Sequence, residues 1–230
     1  MTNMYDVIIP AAGMGKRMQA DKNKILLTIN DQSILEHTVQ VFQNDDNCRS
    51  IHLAAQKDEI DMMKSMLQAY DKIGIITQGG SERQYSIENV LKAIEPCDYV
   101  FVHDAARPFV TQATLNKLYH SVQQHHSAIA AVKVKDTIKR IENNQVTETL
   151  KRDELWQIQT PQAFMYSLLL DAYNAANQEN FLGTDDASLV ERIAKVHIVE
   201  SDYDNIKITT PEDMFFAEAI LKKRGKKCLE

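Results

Sequence analysis

Short apolar runs alternate along the chain with longer amphipathic stretches, a pattern that predicts strands and helices in turn. The apolar runs cover residues 5–10, 51–55, 73–77, 99–103, 128–134 and 206–209. They are compact and rich in Val, Ile and Ala, as are strands that are buried on both faces of a sheet. Alternation with this spacing predicts an α/β fold, in which helices cover both faces of a mostly parallel sheet.

Helix-start signals stand between these runs. "SILE" provides Ser33 as an N-cap with Glu36 three residues later, and "SERQ" repeats this capping-box pattern with Ser81 and Gln84. "TPED" places Pro211 at the first position of a helix and follows it with acidic residues, which are favourable in a first turn. These signals predict where three of the helices begin.

One segment breaks the alternation of strands and helices. Residues 136–164, "DTIKRIENNQVTETLKRDELWQIQTPQAF", read as two extended pieces around the polar turn "ENNQ". A β-hairpin there has no obvious place in a parallel sheet, so it is either a plain surface excursion or an arm that pairs with another subunit. We therefore expect a single domain over residues 1–230, with a β-arm at 136–164 as its dimerisation element.

The composition and net charge of the chain limit the classes of partner that it can bind. The chain has 230 residues, of which 44% are apolar, enough for one large domain with a substantial core. Its net charge of −6 argues against nucleic acid or an anionic membrane as partner, since both need a basic surface. Cys48, Cys97 and Cys228 lack the paired spacing of a zinc site or disulfide framework. No signal peptide or membrane-spanning run is evident, so we expect a cytoplasmic protein.

A basic, Gly-containing loop follows the first predicted strand. Its sequence misses Walker A at both ends, and it lacks the third Gly of the dinucleotide fingerprint. Gly13 and Gly15 would still let backbone N–H groups approach an anion closely. Four cations accompany them: Lys16, Arg17, Lys22 and Lys24. This loop predicts a triphosphate-binding site of a third type.

Two acidic residues fall at the edge where such a ligand would bind. Ligands of open parallel sheets lie outside the carboxyl ends of the strands, where "HDAARPF" places Asp104 and "DNIKITTPED" places Asp204. Either residue alone would more often be a helix cap or turn residue. Together with the basic loop they predict a Mg²⁺ site, because Mg²⁺ prefers a few carboxylates plus phosphate oxygens. "QGGSERQYS" could form a glycine-lined wall for a nucleotide base, or an ordinary strand-to-helix turn.

Seven motifs in this order resemble those of the 2-C-methyl-D-erythritol 4-phosphate cytidylyltransferase family of the non-mevalonate isoprenoid pathway. They are "PAAGMGKRM", "GGSERQYS", "HDAARPF", "DTIKR", "QTPQAF", "TDDASLVE" and "DNIKITTPEDM", and the resemblance covers about residues 7–218. Ribitol-5-phosphate cytidylyltransferase is a close relative with the same fold and chemistry. The forms of "HDAARPF" and "DDASLVE" favour the first family.

The resemblance implies a Rossmann-like nucleotidyltransferase that joins CTP to a polyol phosphate, releases pyrophosphate, uses Mg²⁺ or another divalent cation, and forms a homodimer through the arm. Its catalytic cations would be Arg17, Lys24 and Lys207. The nucleotide site would comprise Ala11, Ala12, Gly13, Gly15, Gly80, Ser81, Ser86, Asp104 and Ala105. The polyol-phosphate site would comprise Arg107, Thr137, Arg152 and Thr160, of which the last two would reach the partner subunit's substrate. The metal ligands would be Asp104 and Asp204.

The sequence departs from the family pattern at one point. The family usually has Pro-Lys-Gln around its loop lysine, and this chain has Asn23-Lys24-Ile25. Loss of the Pro removes a fixed φ, which predicts a looser loop, and Lys22 becomes an alternative cation. Two other classes remain open, a non-catalytic nucleotide-binding regulatory module and a Rossmann oxidoreductase. The retained Arg17 and Lys207 oppose the first, and the missing third Gly opposes the second.

Overall fold

The computed structural model describes residues 4–13 and 23–227 of the chain. Over these residues the strands are β1 (Tyr5–Pro10), β2 (Thr28–Ile29), β3 (Gln32–Ser33), β4 (Cys48–Ala55), β5 (Ile73–Gln78), β6 (Tyr99–Val102), β7 (Ser127–Lys133), β8 (Lys139–Glu142), β9 (Gln145–Thr149), β10 (Trp156–Met165) and β11 (His197–Glu200). The α-helices are α1 (Ile34–Gln43), α2 (Ile60–Met66), α3 (Arg83–Ala93), α4 (Gln112–His125), α5 (Tyr166–Gln178), α6 (Asp186–Val190) and α7 (Pro211–Lys227). None of the helices in the described ranges is long and apolar enough to span a bilayer.

Seven strands form the central sheet, in the order β11-β7-β10-β6-β1-β4-β5. Every neighbouring pair is parallel except the two that involve β10, which runs antiparallel to β6 and to β7. Apolar side chains are buried in two large clusters of core residues, each built on strands and helices. The predicted mostly parallel α/β fold is confirmed.

The predicted strand at residues 206–209 is wrong. The structure has no strand there, and the last strand of the sheet is β11. Residues 206–209 instead pass over the loop that follows β6, where the Ile208 N–H donates to the Ala106 carbonyl at 2.8 Å. Ile208 is fully buried against Phe109 and Ile220 in a third, smaller cluster. Its apolar side chain therefore packs inside a loop. In the sequence, the alternation of apolar and polar residues at 206–209 looks the same as that of a strand.

The helix-start predictions are confirmed in part. Ser33 caps α1 in a complete capping box with Glu36, and Pro211 is the first residue of α7. The predicted cap at Ser81 is wrong, because α3 begins after Glu82, whose side chain makes no capping bond. The Ser86 hydroxyl instead organises this turn, since it accepts from the Gly80 N–H at 3.0 Å and donates to the Glu82 carbonyl at 2.9 Å.

The predicted hairpin is present as the antiparallel pair β8–β9, and all of its residues are exposed. Asn143 and Asn144 have φ values of 48° and 61°, as the tight turns of two-residue hairpins require. The predicted end of the arm at Phe164 lies too far along the chain, because β10 belongs to the central sheet. β10 pairs with β7 from Trp156 onward and with β6 from Gln162 onward, so only the part before Trp156 can project from the sheet.

Candidate active site

A cavity of about 620 Å³ opens at the carboxyl edge of the parallel strands, a size typical of ligand pockets. It lies where β1, β4, β5 and β6 end, as expected for ligand sites in open α/β sheets. The structure brings ten of the predicted site residues to its lining: Ala11, Ala12, Gly13, Lys24, Gly80, Ser81, Ser86, Asp104, Ala105 and Lys207. The structure thus brings the ends of these strands together at one cavity.

Close packing at one wall explains two glycines. A Cβ on Gly79 would lie 2.6 Å from the Cβ of Ala12 and 2.8 Å from the Ser86 hydroxyl. A Cβ on Gly80 would lie 2.5 Å from the Cβ of Tyr85. Neither position has room for a side chain, so the backbone itself forms this wall of the cavity.

Asp104 is the electrostatic centre of the site. Its side chain follows β6 and is almost fully buried, yet three cations surround it. Lys207 Nζ lies 2.9 Å from one carboxylate oxygen and Arg107 Nε 3.4 Å from the same atom, while Arg83 Nε lies 3.4 Å from the other oxygen. Burial alone would raise the pKa of Asp104, but the charges of Arg83, Lys207 and Arg107 outweigh it and hold that pKa well below its usual range.

Each arginine at this centre has a second partner. Arg83 Nη1 lies 2.7 Å from Asp186, and that carboxylate also accepts from the Tyr173 hydroxyl at 2.6 Å. Arg107 Nη1 donates to the Asn205 carbonyl at 2.8 Å. These contacts fix both guanidinium groups, whereas Lys207 keeps 38% of its side chain exposed. Of the three cations around Asp104, Lys207 is thus the one that an incoming anion can reach most easily.

A buried hydrogen-bond chain positions Asp104 from behind. Burial lowers the pKa of His103 to about 4, so its ring is neutral at neutral pH. Its Nε2 lies 2.9 Å from the Arg107 carbonyl, which can only accept, so Nε2 carries the proton and Nδ1 accepts. The Thr160 hydroxyl therefore donates to Nδ1 at 3.1 Å and accepts from the Asp104 N–H at 2.9 Å.

Lys24 and Lys207 meet at one side of the cavity. Lys24 lies in a one-turn 3₁₀ helix, Lys24–Leu26, and its ammonium donates to the Ile208 carbonyl at 2.9 Å. Ile208 follows Lys207 directly in the chain. Two lysines far apart in sequence therefore line the same cavity, and Lys207 also contacts the carboxylate of Asp104.

Several predicted site residues lie elsewhere. Thr160 is 5% exposed and engaged behind Asp104, so it cannot reach a partner subunit as predicted. Thr137 and Arg152 are exposed in the arm region, outside the cavity lining, and Arg152 donates to the Lys135 carbonyl. Arg107 contacts Asp104 but does not line the cavity itself. Arg17, Gly15 and the alternative cation Lys22 lie outside the described residues.

The predicted pair of metal-binding acids is not assembled. Asp204 does not line the cavity, and its carboxylate accepts from Lys223 Nζ of α7 at 2.7 Å. Both oxygens of Asp104 face cationic side chains. Within residues 4–13 and 23–227, no three His, Cys, Asp or Glu side chains cluster closely enough to hold a metal ion. In this arrangement Asp104 and Asp204 therefore do not form the predicted two-carboxylate Mg²⁺ site.

Arg83 is the site residue that sequence reasoning missed. It stands in the motif "GGSERQYS", just after the glycine wall, and it both lines the cavity and pairs with Asp104. A basic residue at the helix start that follows a parallel strand was the available signal. Its buried partner Asp186 is distant in sequence, so the pairing itself could not be read from the chain.

A mostly parallel sheet with a cation-rich, glycine-walled cavity at its carboxyl edge is the architecture of a nucleotidyltransferase. A family model described as 2-C-methyl-D-erythritol 4-phosphate cytidylyltransferase matches residues 5–223. The chain belongs to this family, as the motifs had suggested, and is an enzyme of the cytidylyltransferase class.

Relatives and solved structures agree with this assignment. A 2-C-methyl-D-erythritol 4-phosphate cytidylyltransferase from Lysinibacillus sphaericus is 48% identical over 224 residues, which cover 96% of this chain and 97% of that one. One from Shouchella clausii is 48% identical over 223 residues, with coverage of 96% and 97%. The crystal structure of 4-diphosphocytidyl-2C-methyl-D-erythritol synthase from Anaerococcus prevotii matches with a TM-score of 0.84 and 35% identity, over 95% of this chain and 96% of that one.

The neutral, buried His103 generates a prediction about acid stability. The unfolded chain protonates this ring below pH 6.5, but the folded chain does so only near pH 4, so stability falls as the pH drops through this window. As the pH falls from about 7 to about 4.5, protonation of His103 in the unfolded chain should lower the free energy of unfolding by about 2 kcal/mol. Urea unfolding of His103→Gln, whose amide does not titrate, should show a correspondingly smaller loss. An equal loss in both proteins would show that His103 is not the titrating group.

Proposed function

We propose that the chain transfers the cytidylyl group of CTP to 2-C-methyl-D-erythritol 4-phosphate, giving 4-diphosphocytidyl-2-C-methyl-D-erythritol and pyrophosphate. The observation that carries this proposal is the convergence of Lys24, Lys207 and Arg83 on one cavity at the sheet edge. Family membership supplies the two substrates, because the matched relatives carry the name of this reaction.

The proposed reaction requires positive charge beside the phosphates more than it requires a general base. The acceptor phosphate is already an oxyanion, and one of its oxygens attacks the α-phosphorus of CTP while the bond to the β-phosphate breaks and pyrophosphate leaves. The difficulty is that one anion must approach another, so fixed cations have to neutralise the phosphate oxygens. Lys24 and Lys207 are suited to this role because they lie at the same wall, and Arg17 is assigned to it by the family resemblance.

Asp104 would hold Arg83, Arg107 and Lys207 in place until the nucleotide arrives. Within the described residues, the ion pairs of Arg83, Arg107 and Lys207 are made with Asp104 and Asp186, so three positive charges meet two negative ones even before Lys24 is added. Lys207, the most exposed of the three, would turn from Asp104 to the triphosphate. The two arginines would stay, because each is tied to a second buried partner.

The backbone wall suits a pyrimidine base. Gly79, Gly80 and Ser86 pack closely, and polar backbone groups beside the cavity can form hydrogen bonds with a base edge. A divalent cation would have to be held chiefly by phosphate oxygens of the nucleotide, since Asp204 lies outside the cavity lining and does not pair with Asp104. When bound there, Mg²⁺ would supply further neutralisation of the phosphate charge.

Substrate choice is tested by pyrophosphate release from CTP with two acceptors in parallel. We expect turnover with 2-C-methyl-D-erythritol 4-phosphate, and a kcat/KM for ribitol 5-phosphate that is lower by about 10²-fold or more, since a site built to hydrogen-bond one polyol leaves polar groups unpaired with another. ATP in place of CTP serves as the nucleotide control and should give little product. A preference for ribitol 5-phosphate would overturn the acceptor assignment, and comparable turnover with ATP would overturn the proposed base pocket.

We also propose that the arm forms a homodimer. Ile141 and Val146 lie directly opposite each other in the hairpin, and their side chains are 54% and 56% exposed. An isolated two-stranded ribbon is only marginally stable in water, so this apolar pair needs a surface to pack on. A symmetric copy of the same ribbon would provide one. Arg152, at the base of the arm, could then bind the acceptor phosphate of the other subunit, as a guanidinium does with two parallel hydrogen bonds.

Subunit mixing tests whether the arms cross. Arg152→Ala and Lys24→Ala should each be nearly inactive alone. In a heterodimer with crossing arms, one site carries both defects and the other carries none, so a statistical mixture should regain about a quarter of wild-type activity. Unmixed samples of each variant, treated in the same way, are the controls. No regained activity after verified subunit exchange would show that each arm serves its own subunit.

A further inference from the structure

Asn23 is only 6% exposed, and its side chain joins the end of β1, the residue before α2 and the 3₁₀ helix Lys24–Leu26. Its amide nitrogen donates to the Ala11 carbonyl at 3.0 Å and to the Glu59 carboxylate at 2.9 Å. Its amide oxygen accepts from the Ile25 N–H at 3.4 Å, as the N-cap of the 3₁₀ helix Lys24–Leu26. Both hydrogens of the amide group are therefore used, and so is its oxygen.

The partners of Asn23 are fixed elements. Ala11 directly follows β1 at the carboxyl edge of the central sheet, and Glu59 lies immediately before α2. On the other side of Lys24, Ile25 is only 3% exposed and packs in the larger core cluster. Lys24 is thus held between a polar anchor and an apolar anchor, and its backbone is tied to the sheet on which the cavity is built.

These contacts lie at the point where the sequence departs from the family's Pro-Lys-Gln. Asn23 has φ −55°, close to the value at which a proline ring locks the backbone. The chain therefore adopts a proline-compatible conformation without proline, and the Asn23 side chain adds hydrogen bonds to Ala11, Glu59 and Ile25 that a proline could not form. The expectation that this side of Lys24 is loosely held is not supported by these contacts.

We propose that Asn23 is a positioning residue for the transfer reaction, and that it acts by holding Lys24 at the cavity wall against Ala11 and Glu59. The inference rests on the proposed catalytic role of Lys24. A cation stabilises charge in the transition state only if it is already in place, and a displacement of about 1 Å can cost about 10²-fold in rate. Asn23 itself need not touch either substrate for its loss to slow the reaction.

A double-mutant cycle between Asn23→Ala and Lys24→Ala tests the proposal by pyrophosphate release. Asn23→Ala should lower kcat/KM by about tenfold or more in the wild-type background. In the Lys24→Ala background the same change should matter by less than about twofold, because the group that Asn23 positions is already gone. A simple loss of folded enzyme would lower activity by the same factor in both backgrounds, and that result would overturn the proposal.

Two further variants separate hydrogen bonding from backbone conformation. Asn23→Pro keeps φ but removes the amide, so it should lose activity as Asn23→Ala does, and full activity in this variant would overturn the proposal. Asn177→Ala is the matched control, since it removes a similar bond from an Asn amide to Glu88 outside the cavity lining, and it should leave activity unchanged. Failure of the proposed function is distinguishable, because the wild-type chain would then release no pyrophosphate, or Lys24→Ala would match it.

Discussion

The site depends on the burial of one negative charge. Asp104 is 7% exposed, and a carboxylate in such a place is tolerated only when opposite charges and hydrogen bonds compensate it. Arg83, Arg107 and Lys207 provide that compensation, and the Thr160 hydroxyl fixes the adjacent backbone. The same contacts that stabilise the carboxylate gather cations beside the cavity, so one arrangement serves both folding and anion binding.

The path of β10 explains how this arrangement is built. The strand enters between β6 and β7 in the antiparallel direction, which brings Thr160 beneath the backbone of Asp104 and within reach of His103. Asn205 ties the loop between β11 and α7 to the same strand, because its amide donates to Gln159 and to the Thr160 carbonyl. Lys207 is carried on this loop. An element that reads as part of an arm is thus the support of the active-site centre.

The sequence predicted those features that depend on local pattern. Five of the six predicted strands are present within a few residues of their predicted ends, because buried strands of a parallel sheet are apolar runs interrupted by polar loops. Gly80 and Asp104 were placed correctly because the carboxyl ends of parallel strands converge at one edge. Features that depend on long-range contacts were missed. Ile208 looks like a strand residue but is buried by packing against Phe109, and the assignments of Thr160 and Asp204 followed sequence position rather than the contacts that engage them.

The most direct test of this account compares Asp104→Asn with Asp204→Asn in urea unfolding at neutral pH. Both changes remove one negative charge from an ion pair and keep the size of the side chain. If the buried Asp104 holds the three surrounding cations, its loss should lower the free energy of unfolding by about 3 kcal/mol or more, as when one partner of a buried ion pair is removed. The more exposed Asp204–Lys223 pair should contribute less than about 1 kcal/mol. Equal, small losses in the two variants would contradict the central role assigned to Asp104.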